Sequence, residues 1–196
     1  MIKKNYSSGT FWVDRAKAQF TLPSAISCTF EAKFTPMPQI ALIHPQIPPN
    51  TGNIARTCAA TGTPLHLVGP MGFEISDRYL KRAGLDYWPD VDWRYHSFLE
   101  DFRSVRQQQS GRWIGFSTRG HHNYVELKFQ PDDWLLFGSE TMGLSTDVLD
   151  ECDATAYIPM MQPRVRSLNL SVSAALGLFE ALRQLGKLGA PSPQTR

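Results

Sequence analysis

Five short apolar runs punctuate the chain: QIALIHP (39–45), PLHLVGP (64–70), RWIGFST (112–118), DWLLFGS (133–139) and ATAYIPM (154–160). Each is bounded by Pro, Gly or polar residues. None shows the apolar–polar alternation of a strand with one wet face, so each predicts a strand buried on both sides. Helical patterns lie between them. Residues 50–61 form one, capped by Asn50 or Thr51 and stopped by Gly62. Ser76 to Ala83 form a second, from a Ser cap to Gly84. SFLE (97–100) is a capping box, with Phe98, Phe102 and Val105 at helical spacing. A short helix follows Ser145. The last helix places Leu168, Val172, Ala175, Phe179 and Leu182 on one face and stops at Gly186. Strand alternating with helix predicts an α/β fold, a mainly parallel sheet with helices on both faces.

The first 36 residues break this pattern. They hold no sustained apolar period and no apolar core of a secretory signal. The folded domain is expected to span 37–186, opening at MPQIALIHP. Residues 1–36 are then an extension: a mis-assigned start, a transit peptide or a late-docking segment. GAPSPQTR closes the chain within a loose tail, 187–196.

Composition narrows the class without naming a function. The chain has 196 residues, 42% apolar and 19% charged, which is a globular balance and long enough for one core. A net charge of +2 names no partner. No apolar run reaches the roughly 18 residues of a membrane helix. Cys28, Cys58 and Cys152 form no CxxC pair, which disfavours a disulfide framework or zinc site and suits a reducing compartment.

Ligands of parallel sheets bind beyond the C-terminal ends of the strands. Three of those ends carry unusual loops: PQIPPNTGNIAR after the first run, FGSETMGLS after the fourth and MMQPRVRSLN after the fifth. Gly52 permits close backbone approach, and Gly138 and Gly143 bracket Glu140 in a tight turn. There is no GxGxxG after the first run, no GxxxxGK[ST], no HExxH and no GxSxG. Nicotinamide dinucleotides, nucleoside triphosphates, a bound metal and the usual serine hydrolase elbow are thus disfavoured. Arg78, Lys81, Arg82, Arg119, Arg164 and Arg166 lie near Tyr79, Tyr87, Trp88, His121, His122 and Tyr124. That mixture suits RNA phosphates with bases splayed onto rings; a mixed polar surface is the alternative. Arg82, Arg119, Arg164 and Arg166 are the RNA-binding candidates, a solvated loop being the other reading of Arg164 and Arg166.

PPNTGNIART, LLFGSETMGL and IPMMQPRVRSLNLSVSAALGLFEA resemble the three ordered motifs of the SPOUT RNA methyltransferases, in particular the TrmH-like ribose 2′-O-methyltransferases. PMGFEISDRYLKRAGLDYW (70–88) is similar to the small TrmL type, which acts on the tRNA wobble nucleotide, position 34, a cytidine or modified uridine. The resemblance covers about Pro38 to Gly186. It implies a trefoil-knotted domain, a homodimer with RNA sites spanning two subunits, the tRNA anticodon stem-loop as substrate, and a cytoplasmic location. S-adenosylmethionine is the implied cofactor, lined by Phe116, Gly138, Ile158, Met160 and Ser167, mainly through backbone. The implied catalytic set is Asn50, Arg56, Glu140, Ser167 and Asn169. A ribose 2′-hydroxyl is a poor nucleophile until its proton leaves, so alignment and proton acceptance are both required. Arg56 takes the proton, stabilises developing negative charge or holds a phosphate; a free guanidinium stays protonated far above neutral pH. Glu140 and Asn50 are expected to orient Arg56, while Ser167 and Asn169 shape the site. The rivals are the same chemistry on ribosomal RNA or another tRNA position, an RNA-binding protein without catalysis, and an unrelated α/β cofactor-binding protein.

Overall fold

The computed structural model describes residues 36–73 and 87–189. The expected helix at Ser76–Ala83, Arg82, Cys28 and the extension up to residue 35 lie outside the described residues. The sheet contains β1 (Gln39–Ile43), β2 (Leu65–Val68), β3 (Trp93–His96), β4 (Trp113–Phe116), β5 (His122–Asn123), β6 (Trp134–Phe137) and β7 (Ala154–Tyr157). Their spatial order is β3-β2-β1-β6-β4-β7-β5, and every neighbouring pair is parallel. Among the described residues four α-helices accompany them: α1 (Pro48–Thr61), α2 (Leu99–Gln108), α3 (Thr146–Asp150) and α4 (Leu170–Gln184).

Strand period and register explain why both faces need cover. Ile40 aligns with Leu65 and Leu135, and Leu135 with Ile114. Leu42 aligns with Leu67 and Phe137, and Phe137 with Phe116. These two rows share one face, covered by Ile54, Ala55 and Cys58 of α1 and by Ala174, Leu178, Ala181 and Leu182 of α4. The alternate residues, Ala41, Ile43, Val68, Trp113, Trp134 and Leu136, meet Phe102 of α2 and Val148 of α3. Residues of opposite parity on β1, β2, β4 and β6 therefore serve two cores, which is why those runs read as largely apolar, whereas on β7 only Ala156 is buried.

The remaining two strands carry no such run. β3 and β5 lie at the sheet edges, where Arg94, Tyr95 and His122 are exposed while His96 is buried. Other expectations also need correction. α1 begins at Pro48, with Ile47 as its cap and no side-chain cap bond. Proline suits the first turn, where an N–H lacks a helical partner anyway, and Asn50 and Thr51 turn inward as buried residues. The cap of α2 sits one residue later than SFLE suggests: the Phe98 N–H donates to Asp101 at 3.1 Å, and Phe98 itself is exposed.

The last helix turns a different face to the core. Ala174, Gly177, Leu178, Ala181 and Leu182 are buried, while Val172 and Phe179 are exposed. A Cβ on Gly177 would lie 2.7 Å from Cζ of Phe116. Small residues bring this helix close to the sheet, and Val172, Leu176 and Phe179 are left outside.

Candidate active site

The chain leaves β1 in one direction, to β2, and returns beyond it as β6, β4 and β7. The crevice between the C-terminal ends of β1 and β6 is the switch point where parallel sheets collect ligands. The loops after β1, β6 and β7 converge there, and hydrogen bonds join them. Glu140 accepts the Gln46 N–H at 2.8 Å through one oxygen. Its other oxygen accepts the Ile47 N–H at 3.1 Å and Asn50 Nδ2 at 3.0 Å. Asn169 Nδ2 in turn donates to Asn50 Oδ1 at 3.0 Å, and Asn169 Oδ1 caps α4 by accepting the Ser171 N–H at 2.8 Å. The Ser171 hydroxyl donates to the same oxygen at 2.7 Å.

This chain fixes both amides. Each uses its carbonyl and one N–H internally, leaving one N–H for a ligand oxygen. Glu140 receives three N–H donors, so it acts as a brace across loops that lie 94 residues apart in sequence. The tight turn holding it is real: the Gly143 N–H donates to Ser139 O at 2.8 Å, and Gly143 takes φ 69°. Glycine at 138 is required by that turn, since a Cβ there would lie 1.9 Å from the carbonyl carbon of Gly143.

Beside the chain lies a cavity of about 550 Å³, within the range of small-molecule sites. Phe116, Gly138, Ile158, Met160 and Ser167 all line it, as do Asn50, Glu140 and Asn169. Apolar walls come from Phe116, Phe137, Ala156 and Ile158, and hydroxyls from Ser117, Thr118 and Ser139. Such walls fit a nucleoside with a short polar tail. Arg119 and Arg166 stand at the same cavity, whereas Arg164 does not line it. A second depression of about 500 Å³ borders Arg119 on the side of α3, against His121, His122 and Asp150, but holds none of the motif residues.

Arg56 is not brought to this chain. It is exposed on α1, and its guanidinium carbon lies 4.7 Å from the ring centroid of Tyr87. Within one chain Glu140 and Asn50 bond to each other and to the loops, and neither is bonded to Arg56. Sequence reading also missed the Gln46 and Ile47 amides and the Ser171 hydroxyl as parts of the network. Backbone donors have no sequence signal, although Ser two positions after Asn169 is a local capping signal.

The arginines divide clearly. Among the described residues, Arg94, Arg103, Arg106, Arg112 and Arg183 pair with carboxylates. Arg56, Arg119, Arg164 and Arg166 have no such partner among the described residues, and all but Arg56 lie in the loops after β4 and β7. No group of three or more acidic, His or Cys side chains among the described residues could hold a metal.

Residues 37–179 match the model of the SpoU rRNA Methylase family. A Synechocystis sp. protein is 58% identical over 153 residues, covering 78% of this chain and all of that relative. A tRNA (cytidine(34)-2'-O)-methyltransferase of Burkholderia ambifaria is 43% identical over 148 residues, covering 75% of this chain and 95% of its own. A solved structure concerned with 2-OH methylation of C/U34 on tRNA superposes with a TM-score of 0.72 at 47% identity, covering 76% of this chain and 97% of the other. An AdoMet-bound rRNA methyltransferase from Sinorhizobium meliloti superposes at 0.69 and 28% identity, over 76% of this chain and 57% of that one.

Proposed function

The chain belongs to the SpoU rRNA Methylase family, and from that premise we propose that it methylates the ribose 2′-oxygen of the wobble nucleotide of tRNA, position 34, using S-adenosylmethionine. The observation that carries this reading is the convergence of the three motif loops on one cavity, tied by Glu140, Asn50 and Asn169. The small, full-length relatives act on tRNA by name, which favours tRNA over ribosomal RNA.

S-adenosylmethionine supplies an electrophilic methyl group on a sulfonium when bound. Phe116, Ile158 and Met160 exclude water from the cavity, and the turn at Gly138 and Ser139 forms its wall. The free N–H groups of Asn50 and Asn169 orient a substrate oxygen, while Ser167 borders the ribose. Fixing these donors before binding lowers the reorganisation that alignment would otherwise require. Arg119 and Arg166, with Arg82 and Arg164, hold RNA phosphates; among the described residues Arg119, Arg164 and Arg166 have no carboxylate partner. The neutral amide and hydroxyl donors at the cavity, from Asn50, Asn169, Ser117, Thr118 and Ser139, fit a cofactor without phosphate.

The place of Arg56 points to a second subunit. It stands outside the cavity of its own chain, on α1, which covers the same sheet face as α4. α4 leaves Val172, Leu176 and Phe179 exposed. We place the homodimer contact on this face, so that Arg56 of one subunit serves the cavity of the other. The insertion of β6 between β1 and β4 agrees with a trefoil knot closed by the loops after β6 and β7. No helix among the described residues is long and apolar enough to cross a membrane, and a cytoplasmic location suits the substrate. Mass spectrometry of tRNA nucleosides from a deletion strain tests the reading: one 2′-O-methyl group is lost from position 34. Unchanged modification there rejects it.

A further inference from the structure

We infer that Tyr87 is a positioning residue that holds Arg56 in its reactive orientation; this rests on the role given to Arg56 above. Two contacts carry it. The Tyr87 hydroxyl donates to the carbonyl of Gly52 at 2.8 Å, which fastens the ring to α1. In an α-helix that same carbonyl accepts the N–H of the residue four positions later, here Arg56. The ring is thus tied to the helical turn that carries the arginine. Its face then receives the Arg56 guanidinium at 4.7 Å from the centroid. The segment bearing Tyr87 is itself anchored, because Trp88 packs on Trp93 of β3 with ring centroids 5.2 Å apart.

The choice of partner has a chemical consequence. A carboxylate would hold Arg56 by occupying its N–H donors and balancing its charge. An aromatic face holds the guanidinium by its plane and leaves the N–H edge open. Arg56 is exposed and has no carboxylate partner among the described residues, so the ring removes side-chain disorder without consuming the donors the reaction needs. A phenylalanine would keep the face but lose the tie to Gly52.

The test compares Tyr87→Leu and Tyr87→Phe with wild type, using full-length enzyme, tRNA and S-adenosylmethionine. Tyr87→Leu is expected to lower kcat roughly tenfold, with unchanged cofactor Kd. Tyr87→Phe should stay within about threefold, because the cation–π contact remains. Relaxation of the Arg56 Nε–Hε group, measured by NMR, should show a rigid side chain in wild type and a mobile one in Tyr87→Leu. A Tyr87→Leu enzyme with wild-type kcat, or an equally rigid Arg56, overturns the inference. If wild type methylates an RNA position other than 34, the proposed substrate falls, and the same comparison on that RNA still decides the role of Tyr87.

Discussion

Two carboxylates sit at opposite ends of β6. Asp133, at its entry, is fully buried and meets Arg112 in a two-pronged pair at 2.9 and 2.8 Å. It also accepts the Gln130 N–H at 2.7 Å. Glu140, beyond its exit, is half-buried and receives only N–H donors. The first carboxylate is matched with a cation; the second has no cation among the described residues. The entry end holds the strands together, and the exit end holds loops in place without a carboxylate pairing, among the described residues, for Arg119 or Arg166 nearby. Their substitutions should therefore part company.

The largest effect is expected at the entry. Asp133→Ala strands Arg112 without its partner and should cost about 3 kcal/mol in urea unfolding, while the molecules that fold keep wild-type kcat. Loss of kcat with intact stability would reverse the comparison.

The buried imidazoles form a second stability element. His66 lies on β2 and His96 on β3, their nitrogens 2.9 Å apart, with His66 Nε2 against Gln39 Oε1 at 3.1 Å. Burial, then the neighbouring His96 and Arg94, lowers the His66 pKa from 6.5 to about 3. Between those values the unfolded chain binds the proton and the folded one does not, so stability falls as the pH falls. From pH 7 to pH 5 the loss should be about 2 kcal/mol. His66→Leu should flatten that slope; an equal slope in the variant would assign it to other groups.

The smallest effect on stability belongs to the exit. Glu140→Gln keeps the shape but replaces one acceptor oxygen with a donor facing N–H groups. Stability should change by about 1 kcal/mol, while kcat/KM falls roughly tenfold as Asn50 and Asn169 lose their fixed orientation. Equal losses in both quantities would make Glu140 another Asp133.

How much of this could be read from sequence follows the same division. β1, β2, β4 and β6 were legible because burial on two sides demands nearly unbroken apolar runs, and β7 was legible although only its Ala156 is buried. β3 and β5 were not, since edge positions tolerate Arg94, Tyr95 and His122. The buried face of α4 was misread because Ala174, Gly177 and Ala181 carry little hydrophobic weight, yet their smallness admits Phe116. In the site, the composition of the three loops announced a ligand, and the family resemblance supplied Asn50, Glu140 and Asn169. Their mutual hydrogen bonds join positions 90 and 119 residues apart. No local pattern encodes such contacts, and the same holds for Arg56 on Tyr87.

The central claim is that the cavity at the strand exits transfers a methyl group to one ribose oxygen. Its most direct measurement uses purified protein, labelled S-adenosylmethionine and two anticodon stem-loops, one with ribose and one with 2′-deoxyribose at position 34. The account predicts label in the first and none in the second. Equal label in both, or none in either, would contradict it.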